Sequence, residues 1–338
     1  MFKKIALLAS LFSAALVAQE IKTPEEIQAE LDQAQKDFEI AQEIFIPWYT
    51  GPLITSSANN VPAGKYNIQG YLYFESQYAQ FDNERQSQRI PTIFTLQPLL
   101  ILQAGLTHWL DFTIAPQGFF RWQEGHSAQE FGDLSTTFGF QIVKETPHIP
   151  SIRLTLAESF PTGKFQRLSP NKGDIDATGS GAFETIVGLN ISKVIWWMKL
   201  HPMSVRFSTT YEIPNHKVDV KGFNAYGGGF GTKGKINVGD TFNADFGIEI
   251  SITEKWVYAT DFAYFLTFAS TFSGSAGITA EGIPATNGTP FSDQVSIAPA
   301  IEYNVSSTGG FIGGVWLPLT GKNSANFFTV ILSYTQLF

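Results

Sequence analysis

From residue 63 to the end of the chain, apolar and polar side chains trade places at almost every step. In AGKYNIQGYLYFESQ (63–77), Tyr66, Ile68, Leu72 and Phe74 fall on one side, and Asn67, Gln69, Tyr71, Tyr73 and Glu75 on the other. DTFNADFGIEISI (240–252) sets Phe242, Ala244, Phe246, Ile248, Ile250 and Ile252 against Thr241, Asn243, Asp245, Gly247, Glu249 and Ser251. A period of two belongs to strands whose two faces meet different media. Twelve such strands are expected, near 64–77, 92–104, 109–122, 133–144, 152–160, 181–192, 196–211, 240–252, 256–268, 293–304, 310–318 and 327–338.

A soluble two-sheet sandwich shows the same period, so connection lengths decide. Short turns fall at 105–108, 145–151, 193–195, 253–255 and 305–309, and longer loops at 78–91, 123–132, 161–180, 212–239, 269–292 and 319–326. Turns on one rim and long loops on the other are the pattern of a barrel in the bacterial outer membrane. The expected fold is therefore all-β: a transmembrane antiparallel β-barrel of about 12 strands over 63–338, solvated by outer-membrane lipids. Pro98, Pro116, Pro202 and Pro299 sit inside the expected strands, where each removes a ladder donor.

Residues 23–45 carry a different rhythm. Thr23, Pro24 and Glu26 form a capping-box start, and Ile27, Leu31, Ala34, Phe38, Ala41 and Phe45 recur at helical spacing. The opposite faces hold seven acids against Lys36, so anionic lipid would repel this helix. It packs in a lumen or on a second copy, giving a homo-oligomer, or it stands solvated as a stalk. Residues 19–62 are read as this acidic amphipathic helix and a linker.

The first 18 residues read as a signal peptide: Lys3 and Lys4, an apolar run from Ile5 to Val17, then Ala18. That run is too short to span a bilayer, which takes about 20 residues. Past residue 18 no apolar run is long enough for a membrane helix. Hydropathy alone would give a secreted soluble protein, and it is the periodicity that says otherwise. Charged residues are 15% of 338, aromatics 14%, and cysteine is absent, which excludes thiol chemistry and Cys-ligated metals. The net charge of -8 argues against nucleic acid as a partner.

Aromatics fall where two headgroup girdles would lie. Tyr66, Trp109, Trp196, Trp197, Trp256, Tyr303 and Phe338 come at the short-turn rim, and Phe120, Trp122, Tyr211, Phe242 and Tyr264 toward the other. Inward parity falls on Glu75, Asp111, Asp133, Glu184, Glu212, Asp245, Glu249, Asp261 and Glu302, against Arg121, Arg153 and Arg206. This excess predicts either a cation-preferring lumen or a salt-bridge network that plugs it. Tyr71, Tyr73, Phe119, Phe265 and Trp316 also point inward, as stacking rungs for a small-molecule solute or as filling.

Catalytic chemistry is poorly represented, and neither enzyme activity nor a cofactor or metal is expected. Of the five histidines, at 108, 126, 148, 201 and 216, four lie in turns or loops without ligand spacing. GFGTKG (229–234) has glycine spacing of a phosphate loop, but no helix is expected after it.

Two resemblances extend the picture. The terminal FFTVILSYTQLF is similar to the last strand of outer-membrane barrels, with Val330, Leu332, Tyr334 and Phe338 in pattern and Gln336 out of it. That likeness implies recognition by the barrel assembly machinery. FPTGK (160–164), LPLTGKN (317–323), PWYTGP (47–52) and ITEKW (252–256) resemble the outer-membrane barrels grouped as meta-pathway phenol-degradation proteins, a loose transporter family. The resemblance implies an outer-membrane channel or uptake protein, for small hydrophobic or aromatic compounds, and supplies no catalytic residue. The competing expectation is a non-transporting surface barrel, an adhesin or structural protein whose loops bind partners.

Overall fold

The computed structural model describes residues 23–44, 48–198 and 201–338; the signal peptide read at 1–18 lies outside them. Two compact units divide the chain at Ile44. The first contains helix α1 (Pro24–Ile44). Its start is a capping box: Glu26 N donates to Thr23 Oγ1 at 3.3 Å, and Thr23 N to Glu26 Oε2 at 2.8 Å.

The second unit is a barrel. Its wall strands are β1 (Tyr66–Phe81), β2 (Ser87–Gly105), β3 (Leu110–Ala115), β4 (Gly118–Gln123), β5 (His126–Phe131), β6 (Leu134–Val143), β7 (Ser151–Phe160), β8 (Glu184–Ile195) and β9 (Met203–Pro214). After β10 (Val218–Lys221) and β11 (Lys233–Asn237), it continues through β12 (Thr241–Ser251), β13 (Trp256–Thr267), β15 (Ser292–Ser306), β16 (Gly309–Lys322) and β17 (Ala325–Leu337). All neighbours are antiparallel, and β1 pairs with both β2 and β17, which closes the sheet. β3 and β4 are one spanning strand interrupted at Pro116, and β5 and β6 another, so the closed wall has twelve crossings. Closure leaves no unpaired edge to face lipid. β10 and β11 pair with β14 (Thr271–Ser275) as a small sheet in the long loops, around Val218, Val220, Tyr226 and Ile236.

The register fixes which side chains share a face. Phe74 opposes Val330 and Leu96, and Phe246 opposes Phe207 and Phe262. Leu72, Phe74, Leu154, Leu156, Val187, Phe207, Phe246, Phe262 and Leu332 are all exposed, and form the apolar belt. Phe338 is tied in: its N donates to Tyr66 O at 2.8 Å, and Tyr66 N returns a bond at 3.3 Å. Gln336, out of pattern for the last strand, spends its amide on Thr308 Oγ1 at 3.1 Å and Leu337 O at 2.9 Å, pinning the β15–β16 turn.

Several boundaries differ from the sequence reading. The connections expected at 78–91 and 319–326 shrink to tight hairpins, because β1, β2, β16 and β17 continue beyond the alternating region. β8 runs to Ile195, and β9 starts only at Met203, so Pro202 lies outside the strand. Pro98 and Pro299 remain within β2 and β15.

Candidate functional site

The stretch read as a linker lies inside the barrel. Residues 48–62 cross the lumen near its short-turn end as a strap. Trp48 O accepts from Asn304 Nδ2 at 2.8 Å, and the Tyr49 hydroxyl donates to Pro202 O at 3.0 Å. On the far wall, Ala58 O accepts from Ser151 Oγ at 2.8 Å and Gln141 Nε2 at 2.9 Å, while Asn60 N donates to Gln141 Oε1 at 2.8 Å. Gly64 N then reaches Gly105 O at 2.9 Å, and the chain enters β1.

A strap that is not a strand must satisfy its backbone N–H groups elsewhere. Lumen carboxylates take several of them. Glu302 Oε2 accepts from Thr50 N at 3.0 Å. Asp261 accepts from Ile54 N at 3.1 Å, Thr55 N at 3.0 Å and Thr55 Oγ1 at 2.5 Å. Asp111 Oδ2 accepts from Val61 N at 3.1 Å and Gln103 Nε2 at 2.6 Å, while its Oδ1 meets Arg153 Nη2 at 2.7 Å. Arg153 Nε also donates to Asn60 Oδ1 at 2.6 Å, and Arg206 pairs with Glu249 at 2.7 Å. Asp111, Glu249, Asp261 and Glu302 are fully buried. Charge-assisted bonds of this kind are about twice as strong as neutral ones.

Small inward residues make the trough. A Cβ on Gly247 would sit 2.8 Å from Pro52, and one on Gly310 would sit 2.9 Å from Thr50. Leu53 packs against Tyr71, Ala259, Ala298, Ala300, Ile312 and Ile331. On Gly105 the same atom would collide with the Pro62 carbonyl oxygen. Sequence reasoning missed the strap and this trough. The available signal was the run of Gly and Ala at inward positions, where an unfilled barrel would carry larger side chains.

Apart from Tyr71, which lies beside Leu53 of the strap, the other sequence-derived residues lie toward the loop end. Tyr71 and Tyr73 stack with ring centroids 5.7 Å apart; Trp316 contacts Phe265 at 5.9 Å and Phe327 at 4.9 Å, and its Nε1 donates to Ser296 Oγ at 2.9 Å. Arg121 lies 4.7 Å over the Phe119 ring and donates to Ala177 O at 2.5 Å. Glu75 accepts from Thr329 Oγ1 at 3.4 Å. Asp245 is buried beside Ser208 and Ala263 in the register. Asp133 accepts from Gly163 N and Ser180 N, both at 2.8 Å, and so anchors the 161–183 loop rather than facing free lumen. Glu184 and Glu212 line a cavity of about 300 Å³ with Tyr226, Thr241, Thr267 and Thr289. The Tyr226 hydroxyl donates to Ser180 O at 2.7 Å; its burial, then the charges of Glu184 and Asp133, raise it above the ordinary tyrosine range.

At the short-turn rim Tyr66, Trp109, Trp197, Trp256 and Phe338 are exposed, and Trp196 and Tyr303 half-buried. Trp256 packs on Tyr303 at 4.7 Å, and Trp109 on Phe140 at 6.2 Å. The glycine-rich 229–235 stretch runs into strand β11, not a helix.

The closed wall, apolar belt and polar interior define a β-barrel of the bacterial outer membrane. Among solved structures, the COG4313 outer membrane channel from Pseudomonas putida F1 shares that fold: TM-score 0.64 and 12% identity, over 86% of this chain and 100% of that one. The NanC porin (TM-score 0.40, 8% identity, 78% and 98% coverage) and a TodX monoaromatic hydrocarbon channel (0.34, 11%, 82% and 91%) superpose less well and carry no weight for this chain. No family model matches the chain, and no curated protein does.

Proposed function

We propose that this barrel is a channel for passive uptake of small solutes, with hydrophobic and aromatic compounds favoured, and that the strap constricts its short-turn half. One observation carries the reading: a lumen in two tiers, with stacked aromatics toward the loop end and a polar strap across the other. Aromatic rungs offer successive weak stacking sites, each worth about 0.5–1.5 kcal/mol beyond burial, so a flat solute can step inward without being trapped. The meta-pathway phenol-degradation likeness points to the same solute class.

Cation preference belongs to the proposal in a narrower form. Asp111, Asp261 and Glu302 are engaged with strap amides, and Glu249 with Arg206. The carboxylates that would attract cations are Glu75, Glu184, Glu212 and Asp245. Recognition of the terminal strand by the barrel assembly machinery, and self-association through α1, complete the proposal.

Liposome swelling with sugars, amino acids and phenols, alongside single-channel recording, tests it. Faster phenol than sugar permeation and a cation-signed reversal potential are expected. A barrel that neither conducts nor swells liposomes supports the alternative of a sealed surface protein with binding loops.

A further inference from the structure

The chain carries a net charge of -8, yet one surface at the loop end is basic. It belongs to the small sheet β10–β11–β14, whose strands come from the long loops after β9 and β13. The sheet alternates cleanly. Val218, Val220 and Ile236 turn inward and pack with Tyr226 and Ala182. The opposite face presents Asp219, Lys221, Lys233 and Lys235, all exposed. Lys217, also exposed, precedes β10 on the same parity. Thr271, Ser273 and Ser275 of β14 add exposed hydroxyls. Four ammonium groups therefore stand against one carboxylate, with no apolar side chain among these positions.

The register brings the cations together. Lys221 opposes Lys233 directly, and Lys233 opposes Ser275. Along the other edge of β10, Arg167 N donates to Lys221 O at 3.2 Å, so the exposed Arg167 stands beside the same row. Neighbouring strands are about 5 Å apart. Like charges directly opposite one another at that spacing repel. The next row gives little relief: Lys235 Nζ lies 3.8 Å from Asp219 Oδ1, a loose pair between exposed side chains. The inner face already holds the sheet together, so folding gains nothing from this row of charge. A multivalent anion laid across it turns the repulsion into attraction.

The platform is preformed. The Tyr226 hydroxyl ties it to Ser180 O at 2.7 Å, and Thr232 Oγ1 accepts from Gly229 N at 2.8 Å while donating to Ala276 O at 2.6 Å. Lysines on such a backbone bind without first ordering a loop. Location names the occupant. The long loops of an outer-membrane barrel face outward, level with the outer leaflet. The headgroups of that leaflet are phosphorylated saccharides, and clustered cations are what phosphate requires.

We infer that the exposed face of β10–β11–β14 docks the phosphorylated headgroup of lipopolysaccharide, with Lys221, Lys233 and Lys235 on its phosphates and the β14 hydroxyls on its sugars. The docking site does not depend on the uptake reading.

The test is native mass spectrometry of the full-length protein in detergent, titrated with diphosphoryl lipid A. The variant carries Lys221→Gln, Lys233→Gln and Lys235→Gln. A lysine close to an anionic lipid surface is worth about fivefold in affinity, so the triple variant should bind about a hundredfold more weakly. Lipid A stripped of its phosphates should bind the native protein as weakly as diphosphoryl lipid A binds the variant, a comparison that needs no substitution. High salt should erase the difference between native protein and variant. Heat-modifiable gel mobility scores folding of the variant. Equal affinity in the native protein and the folded variant, or no preference for the phosphorylated lipid, overturns the docking site. So does an equal loss when Lys65, Lys144 and Lys255, exposed at the short-turn rim, are changed to glutamine instead, because any surface lysine would then serve. Displacement of lipid A by soluble polyphosphate at matched phosphate concentration assigns the face to a soluble polyanion and overturns the lipid assignment. Conductance is recorded alongside: its absence overturns the uptake reading and not this one.

Discussion

Replacing Asp261 by asparagine removes one charge at the centre of the strap and changes little else. The native carboxylate accepts from two backbone amides and one hydroxyl. In Asp261→Asn, one oxygen becomes an NH₂ that faces an N–H, so one bond is lost and the rest fall from charged to neutral acceptors. The charged bonds are worth about 1.5–3 kcal/mol each and neutral ones about 0.5–1.5, so at mid-range the gross loss is about 5 kcal/mol. The bound strap also keeps the native charge dehydrated, a cost the variant escapes, and the net effect falls to roughly 2 kcal/mol. That is about a thirtyfold gain in the strap's release equilibrium at 1.4 kcal/mol per decade. Hydrogen exchange in detergent micelles reads it directly: the Ile54 and Thr55 amides should exchange about thirtyfold faster at that shift, with β1 and β17 unchanged. Equal protection in variant and native protein, or equal acceleration throughout the wall, would refute the argument, since the carboxylate would then not be holding the strap. Larger or more frequent conductance steps in the variant would tie release to gating.

Other consequences are as direct. Gly105→Ala puts a Cβ against the Pro62 carbonyl, a backbone atom that cannot swing away, so overpacking of about 1–3 kcal/mol is expected and is measured by the melting temperature. Lys164 reaches Asp176 at 2.6 Å and Glu130 at 3.3 Å; dehydration lowers its pKa, but these two carboxylates outweigh that and raise it. A raised amine contributes stability that is present below its ordinary pKa and lost as pH rises through the raised one, so protease resistance of the 161–183 loop should hold through neutral pH and fail only above about pH 10.4. Lys164→Met should lose that resistance at pH 7, because Asp176 stays buried without its cation. Deleting Phe338 removes both bonds to Tyr66 and should lower the yield of folded barrel, scored by heat-modifiable gel mobility.

What could be read beforehand follows from where the surroundings imprint a period. In the bilayer each strand has an apolar and a polar side, so strands such as 240–252 and 256–268 announced themselves almost to the residue. Past the bilayer both faces meet water and the period fades. That is why the ends of β1 and β2, YAQF and SQRIP, read as loop in the sequence. Inward acids were visible by parity; their partners were not. WYTGPLITSSANNVP (48–62) has no periodicity, because its backbone is held by side chains from β3, β6, β13 and β15 that lie far off in sequence.

That mode of attachment separates the strap from the wall. A thirteenth strand would share a full ladder with its neighbours and leave only by unfolding the barrel. The strap instead meets carboxylates at separate points along its backbone, and each can let go on its own. Because Ile54 and Thr55 offer their amides, the side chain of Ile54 can vary while Asp261 cannot. The same logic extends to Glu302 and Asp111: their charges lie where a removable segment must be gripped without pairing. Exchange should therefore rise more for carboxylate substitutions than for apolar substitutions at Ile54. If the two classes act alike, side-chain packing around Leu53, and not the buried charges, holds the strap in place.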